Sequence, residues 1–195
     1  LEQFNPKHRR DDLFPRDKFV LGFVGRLAPE KGIERLAALD SRDDIQLVII
    51  GDGPMRTELE RKLPSAIFTG KKSGLELGQH FASLDAFIHP GEHETFCQAA
   101  QEALASAVPV IAPTRGGIKD FILEGLNGIL VDFQDKSALA NIPSSKWQFL
   151  SDPQTKDAAR GSVKDRSWES VNQELIGHYQ RVVAQSRAKR VGLAS

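Results

Sequence analysis

Lys18-Phe-Val-Leu-Gly-Phe-Val24, closed by Gly25, is an apolar run of strand length whose β-branched and aromatic content suits a buried strand better than a helix. Downstream the same alternation repeats. Residues 29–39 read as a helix, 45–50 as a strand, 51–54 as a Gly-Asp-Gly-Pro turn, 55–63 as a helix and 66–69 as a strand. A helix over 75–83, a strand over 85–89, a loop over 90–93 and a helix over 94–106 follow. A strand over 108–112, a Gly116-Gly117 turn with a short helix, and a strand over 128–131 complete the series. Short apolar strands separated by helical patterns predict a parallel sheet covered on both faces, because right-handed crossovers place the helices on the sheet's sides. The expected fold class is α/β, a doubly wound, Rossmann-like, six-stranded parallel sheet.

The ends read differently. Residues 1–17 start without Met, are polar and charged from Lys7 to Asp12, and resemble the remnant of an interdomain linker. The ordered domain is expected over 18–185. Within it, residues 137–143 read as helical, 144–153 as irregular, and 168–183 as an amphipathic docking helix carrying Trp168, Val171, Leu175 and Tyr179. Residues 186–195, with Arg187-Ala-Lys-Arg190, read as a solvated flexible tail.

Composition narrows the function classes. Twenty-six basic against 26 acidic side chains give no excess for neutralising a phosphate backbone, which argues against a nucleic-acid partner. The one cysteine, Cys97, excludes an internal disulfide and fits a reducing compartment, so a cytoplasmic setting is expected. No stretch approaches the roughly 18–20 consecutive apolar residues of a membrane span.

Ligands of open parallel sheets sit at the carboxyl ends of the strands. The first such loop, Gly25-Arg-Leu-Ala-Pro-Glu-Lys-Gly32, brings Arg26 and Lys31 to the mouth of the sheet. A guanidinium fork and an ammonium there suit a diphosphate, although the spacing equally fits two surface cations at a strand–helix junction. Neither G-x-G-x-x-G nor G-x-x-x-x-G-K-[ST] is present, so dinucleotide and Walker-type sites are unsupported. The second loop, His89-Pro-Gly-Glu-His-Glu-Thr-Phe-Cys-Gln98, runs into a helix whose first amides favour an anion. If Glu94 and Glu102 both lie on that helix, they are about 12 Å apart along its axis and roughly 80° around it, able to grip two parts of one elongated ligand. His89, His93 and Glu94 lack well-attested metal spacings. Gly70-Lys71-Lys72-Ser73 could frame a base or ribose, or be only a turn, and Cys97 reads as a small buried apolar residue rather than a nucleophile.

Together, Gly-Arg-Leu…Lys-Gly at 25–32, the glycine turn at 49–54, Phe-x-Gly at 68–70, Glu94-x7-Glu102, Pro109-Val…Gly116-Gly117 and Asn127-Gly-Ile-Leu-Val131 resemble the family 4 retaining glycosyltransferases of GT-B fold, in the family's order. The resemblance implies the C-terminal, nucleotide-sugar-binding half of such an enzyme. By it, Arg26, Lys31 and Glu94 carry catalysis, with the two cations on the donor diphosphate and Glu94 on the hexose. Gly25, Arg26, Lys31, Lys71, Lys72, Thr95, Phe96, Cys97 and Glu102 line the donor site, Glu102 on the ribose and the Phe68–Lys72 loop on the base. No metal is implied, because cations and helix-start amides can stabilise the leaving diphosphate. The fuller string around His89–Gln98 is similar to GDP-mannose-dependent α-mannosyltransferases acting on a glucuronosyl diacylglycerol lipid. This implies GDP-mannose as donor, a lipid-linked acceptor met through a separate N-terminal domain, a peripheral membrane contact of the full enzyme, and an inactive fragment. Two alternatives stay open: a UDP-sugar-dependent member transferring sulfoquinovose or glucose to diacylglycerol, and a non-catalytic nucleotide-binding interaction module. Glu94-Thr-Phe-Cys97 departs from the commoner Glu-Gly-Phe-Gly form, and Lys119-Asp120 stands where many members have a glutamate.

Overall fold

The computed structural model describes residues 2–164 and 172–183. It divides into two compact units, Leu1–Ser162 and Val163–Ser195. In the first, six parallel strands form one sheet in the order β3-β2-β1-β4-β5-β6: β1 Phe19–Val24, β2 Ile45–Ile50, β3 Ile67–Gly70, β4 Ala86–Ile88, β5 Val110–Pro113 and β6 Gly128–Val131. The order reverses between β1 and β4, which pair through Leu21↔Ala86 and Gly22↔Phe87.

Because side chains alternate across the pleat, β1 feeds two cores. Leu21 and Phe23 join Ile33, Leu36, Leu39, Leu59, Trp147 and Leu150 on one face, covered by α1 (Ala37–Asp40), α2 (Arg56–Lys62) and α5 (Ser144–Ser151). On the other face Gly22 lies beneath Leu84, whose Cδ1 would be 2.3 Å from an added Cβ. That face is covered by α3 (Gly74–Ala82), whose Phe81 tilts against Phe87 with ring centroids 6.0 Å apart. Helix α4 (Gln98–Ala105) lies between β4 and β5 in the chain, and α6 (Pro153–Gly161) packs on it.

Several elements differ from the sequence expectation. The helix expected over 29–39 is broken into 3₁₀ turns, Pro29–Lys31 and Ile33–Leu36, before α1, because Gly32 takes a left-handed conformation (φ 61°) between them. Residues 137–143 form turns rather than a helix; Asp135 Oδ1 accepts from both Ser137 N–H and Ser137 Oγ, an alternative to helical pairing. Residues 144–153 are not irregular. Pro143 precedes α5, and Asp152 caps α6 by accepting from Gln154 N at 2.7 Å, with Pro153 at the first helical position. Trp147 anchors α5 by donating to Ile142 O and meeting Phe19 edge-on.

Residues 2–17 lie along the domain. Phe14 is buried, Phe4 meets Phe81 edge-on, and Arg9 donates to Ala82 O and Leu84 O. Of the expected closing helix, 172–183 is helical, whereas Trp168, Val171 and the tail 186–195 fall outside the described residues.

Candidate functional site

Parallel strands deliver every β-to-helix loop to one edge of the sheet, and the reversal between β1 and β4 opens a crevice there. The loops after β1 and β2 are fused by backbone. Leu27 N donates to Asp52 O, and Met55 N donates to Leu27 O. Glycine is required for this approach: a Cβ on Gly51 would stand 1.9 Å from Gly25 O, and one on Gly53 2.4 Å from Leu27 O. The turn glycines therefore position the Gly25–Arg26 segment.

Across the crevice, Lys31 of the β1 loop donates to Glu94 Oε1 of the β4 loop, both side chains about a fifth exposed. The same carboxylate oxygen lies 3.6 Å from His89 Nε2. His89 follows β4, is buried, and lies between Phe23 and Phe87, its ring nearly parallel to each. Burial holds its imidazole at about 4, so it is neutral at pH 7, with the Glu94 charge only partly opposing that. Beside this group, Arg35 grips Glu92 through both terminal nitrogens and donates to Pro90 O, and Gln134 also donates to Glu92. The backbone of 92–95 is held from the far side by Gly116 and Gly117. Their added Cβ atoms would lie 2.5 Å from Glu92 O and 2.2 Å from Thr95 O, and Gly117 N donates to Glu94 O.

Helix α4 begins at Gln98, not at residue 94. Cys97 occupies the N-cap in the left-handed region (φ 43°), and the backbone turns there. Glu94 therefore belongs to the loop, and the separation expected for two glutamates on one helix does not apply. Glu102 remains on α4 and accepts from Gln98 Nε2 at 3.0 Å; burial raises its carboxyl above the usual range, with that bond pulling the other way. Thr95 and Phe96 are exposed, while Cys97 is buried and its thiol is pushed up to about 12, chiefly by burial. A thiol so placed is no nucleophile at neutral pH.

Arg26, Lys71 and Lys72 open on one cavity of about 370 Å³ at the ends of β1–β3, floored by Gly25, Gly51 and Leu77 and bordered by Asp52. Lys72 also pairs with Glu76 on α3. Of the residues expected at the site, Gly25, Arg26, Lys71 and Lys72 line this cavity, and Lys31 meets Glu94 at the crevice. Thr95 and Phe96 precede α4, Cys97 is its N-cap, and Glu102 lies in its second turn. Sequence reasoning missed the Arg35–Glu92–Gln134 network, whose members are far apart in the chain, and, although it ended the fourth strand at His89, it gave that residue no place in the core, where the structure buries it directly after β4. The apolar run Ala86-Phe-Ile88 leading straight into His89 was the available signal.

The family described as "Glycosyl transferases group 1" matches residues 4–155. The chain is 50% identical over 173 residues to a GDP-mannose-dependent alpha-mannosyltransferase of Corynebacterium glutamicum, covering 87% of this chain and 41% of that protein. It is 48% identical over 178 residues to a protein of the same name from Mycolicibacterium smegmatis, covering 91% of this chain and 47% of that protein. The chain thus spans about half the length of these curated relatives. In fold it matches a sucrose-phosphate synthase from Thermosynechococcus elongatus with a TM-score of 0.79 and 24% identity, over 94% of this chain and 51% of that one. With its Rossmann-like parallel sheet and a family match across most of its length, the chain belongs to the group 1 glycosyl transferases, enzymes of GT-B fold.

Proposed function

We propose that this chain is the donor-binding half of a retaining α-mannosyltransferase that takes mannose from GDP-mannose to a glycolipid acceptor of the glucuronosyl diacylglycerol type. The carrying observation is that Arg26, Lys71 and Lys72 line one cavity, and Lys31, on the same loop as Arg26, pairs with Glu94, in a chain about half identical to proteins named for GDP-mannose. In this reading Arg26 and Lys31 hold the diphosphate, and the amides of Phe96 and Cys97 at the start of α4 approach its oxygens. Glu94 accepts from a hexose hydroxyl, Glu102 from the ribose, and the Lys71–Lys72 loop borders the base. Charge developing on the leaving diphosphate meets fixed cations and amide dipoles, and the step needs no metal. Acceptor contacts, and any contact with a membrane, are assigned to the part of the relatives that this chain does not span. Among the described residues no helix is long and apolar enough to cross a membrane.

Calorimetric titration with GDP and with UDP, repeated on Arg26→Ala and Glu102→Ala, tests the donor site. Preference for GDP, lost in both variants, is the expected result. Preference for UDP would move the assignment to a UDP-sugar donor, and binding of neither would overturn the donor site as drawn. Mannosyl transfer by this chain alone would refute its assignment as an inactive half.

A further inference from the structure

His89 presents an unusual balance. Both ring nitrogens are buried, and neither has a hydrogen-bond partner among the described residues, although buried imidazole nitrogens are ordinarily satisfied. Phe23 and Phe87 lie beside the ring, nearly parallel to it, with centroid separations of 6.0 and 6.3 Å, and its backbone N–H donates to Ile111 O. Gly91 packs against the Nε2 edge, where a Cβ would come within 3.0 Å of Nε2. The polar atom nearest that edge across the crevice is Glu94 Oε1, at 3.6 Å, just beyond hydrogen-bond distance and already held by Lys31.

We infer that His89 is a positioning residue that takes over the Glu94 carboxylate when Lys31 leaves it for an anionic ligand. The inference rests on the donor-site reading above. A diphosphate entering the crevice competes for the Lys31 ammonium, and Glu94, only about a fifth exposed, would then lose its counter-charge. A neutral imidazole protonated at Nε2 donates one hydrogen bond to the vacated oxygen after closing the 3.6 Å separation by about 0.7 Å. It brings no positive charge to neutralise Glu94, so the carboxylate remains a strong acceptor for a sugar hydroxyl. Lys31 and Glu94 are thus a resting pair, and His89 is the second partner that permits their separation.

Two experiments on the whole chain, both at pH 7, test this. In the first, Lys31→Ala frees Glu94 without any ligand, and ¹⁵N-imidazole spectra report the tautomer. The expected signature is His89 in the Nε2–H form with a slowly exchanging, downfield Hε2 that wild type lacks; an Nδ1–H tautomer, or a spectrum unchanged from wild type, overturns the inference. In the second, GDP is titrated into His89→Phe, which keeps an aromatic ring beside Phe23 and Phe87 but cannot donate, and into His89→Gln, whose amide restores a donor near Nε2. Loss of the bond to a carboxylate should weaken GDP binding about 10- to 100-fold in the Phe variant, with the Gln variant within about threefold of wild type. A Phe variant with wild-type melting midpoint and wild-type GDP affinity overturns it. If wild type binds no GDP but Lys31→Ala gives the tautomer signature, the donor assignment falls while the His89–Glu94 exchange stands. GDP binding sensitive to Arg26→Ala and Glu102→Ala, without the signature, sinks the exchange alone.

Discussion

Acid should reveal how strongly the fold resists charging His89. In an unfolded chain this imidazole titrates near 6.5, whereas in the native protein burial holds it at about 4. Above pH 6.5 the group is neutral in both states and contributes nothing to pH dependence. As pH falls through that value, the unfolded chain takes up a proton that the native state refuses, so stability declines at about 1.4 kcal/mol per pH unit. The decline ends near pH 4, where the native ring also protonates. Over this window of about two and a half units the loss reaches about 3 kcal/mol, a large part of a typical domain's stability. Urea unfolding of wild type and His89→Phe at half-unit steps from pH 7.5 to 4 isolates the term, since other titrating groups act on both proteins. The difference between the curves should be flat above pH 6.5 and widen steadily below it, to the disadvantage of wild type. Parallel curves across the whole range would refute the reasoning, because His89 would then titrate alike in both states.

Three further outcomes follow from the packing and the charges. Gly51→Ala drives a methyl to 1.9 Å from Gly25 O and should cost about 4 kcal/mol or more in thermal or urea unfolding, whereas Gly74→Ala, with open space around it and φ 55°, should cost only about 1 kcal/mol for the left-handed backbone. Glu102→Gln removes a carboxylate whose native pKa is raised by burial; such a group favours the fold less as pH rises through that pKa, so the variant should melt higher than wild type at pH 8, lose the advantage in acid, and bind GDP more weakly by calorimetry. Asn127→Ala strands groups that the fully buried amide now serves, Leu123 N–H and Phe121 C=O, and should lower unfolding free energy by about 2–3 kcal/mol.

The strands were the legible part of this fold because buried parallel strands are apolar on both faces; Ile45–Ile50 and Gly128–Val131 were bounded to the residue. Helix starts were less legible where distant backbone decides them. Residues 94–97 carry no helix breaker, yet the Gly116–Gly117 turn holds their backbone and Cys97 takes a left-handed conformation, so α4 begins four residues late. Helices α5 and α6 were missed despite the Asp152-Pro153 start signal, which the weak apolar periodicity of 144–153 obscured. At the site, topology alone made Arg26, Lys71 and Lys72 neighbours, since all follow strands at one edge. The Lys31–Glu94 pairing was not readable, because both had been given separate duties toward a ligand and nothing local records that opposite charges 63 residues apart meet without one.

The glycine pair at 116–117 has a bearing on how this family can diversify. It meets residues 92–95 at their main-chain carbonyls, Glu92 O, Glu94 O and Thr95 O, and Gly117 N donates to Glu94 O. Exposed positions such as His93, Thr95 and Phe96 are thereby free to be exchanged without redrawing the loop that displays them. The segment behaves as a rigid mount with replaceable fittings: new sugar preferences can be explored by substitution at the tips, while a methyl added to either glycine would unseat all of them together.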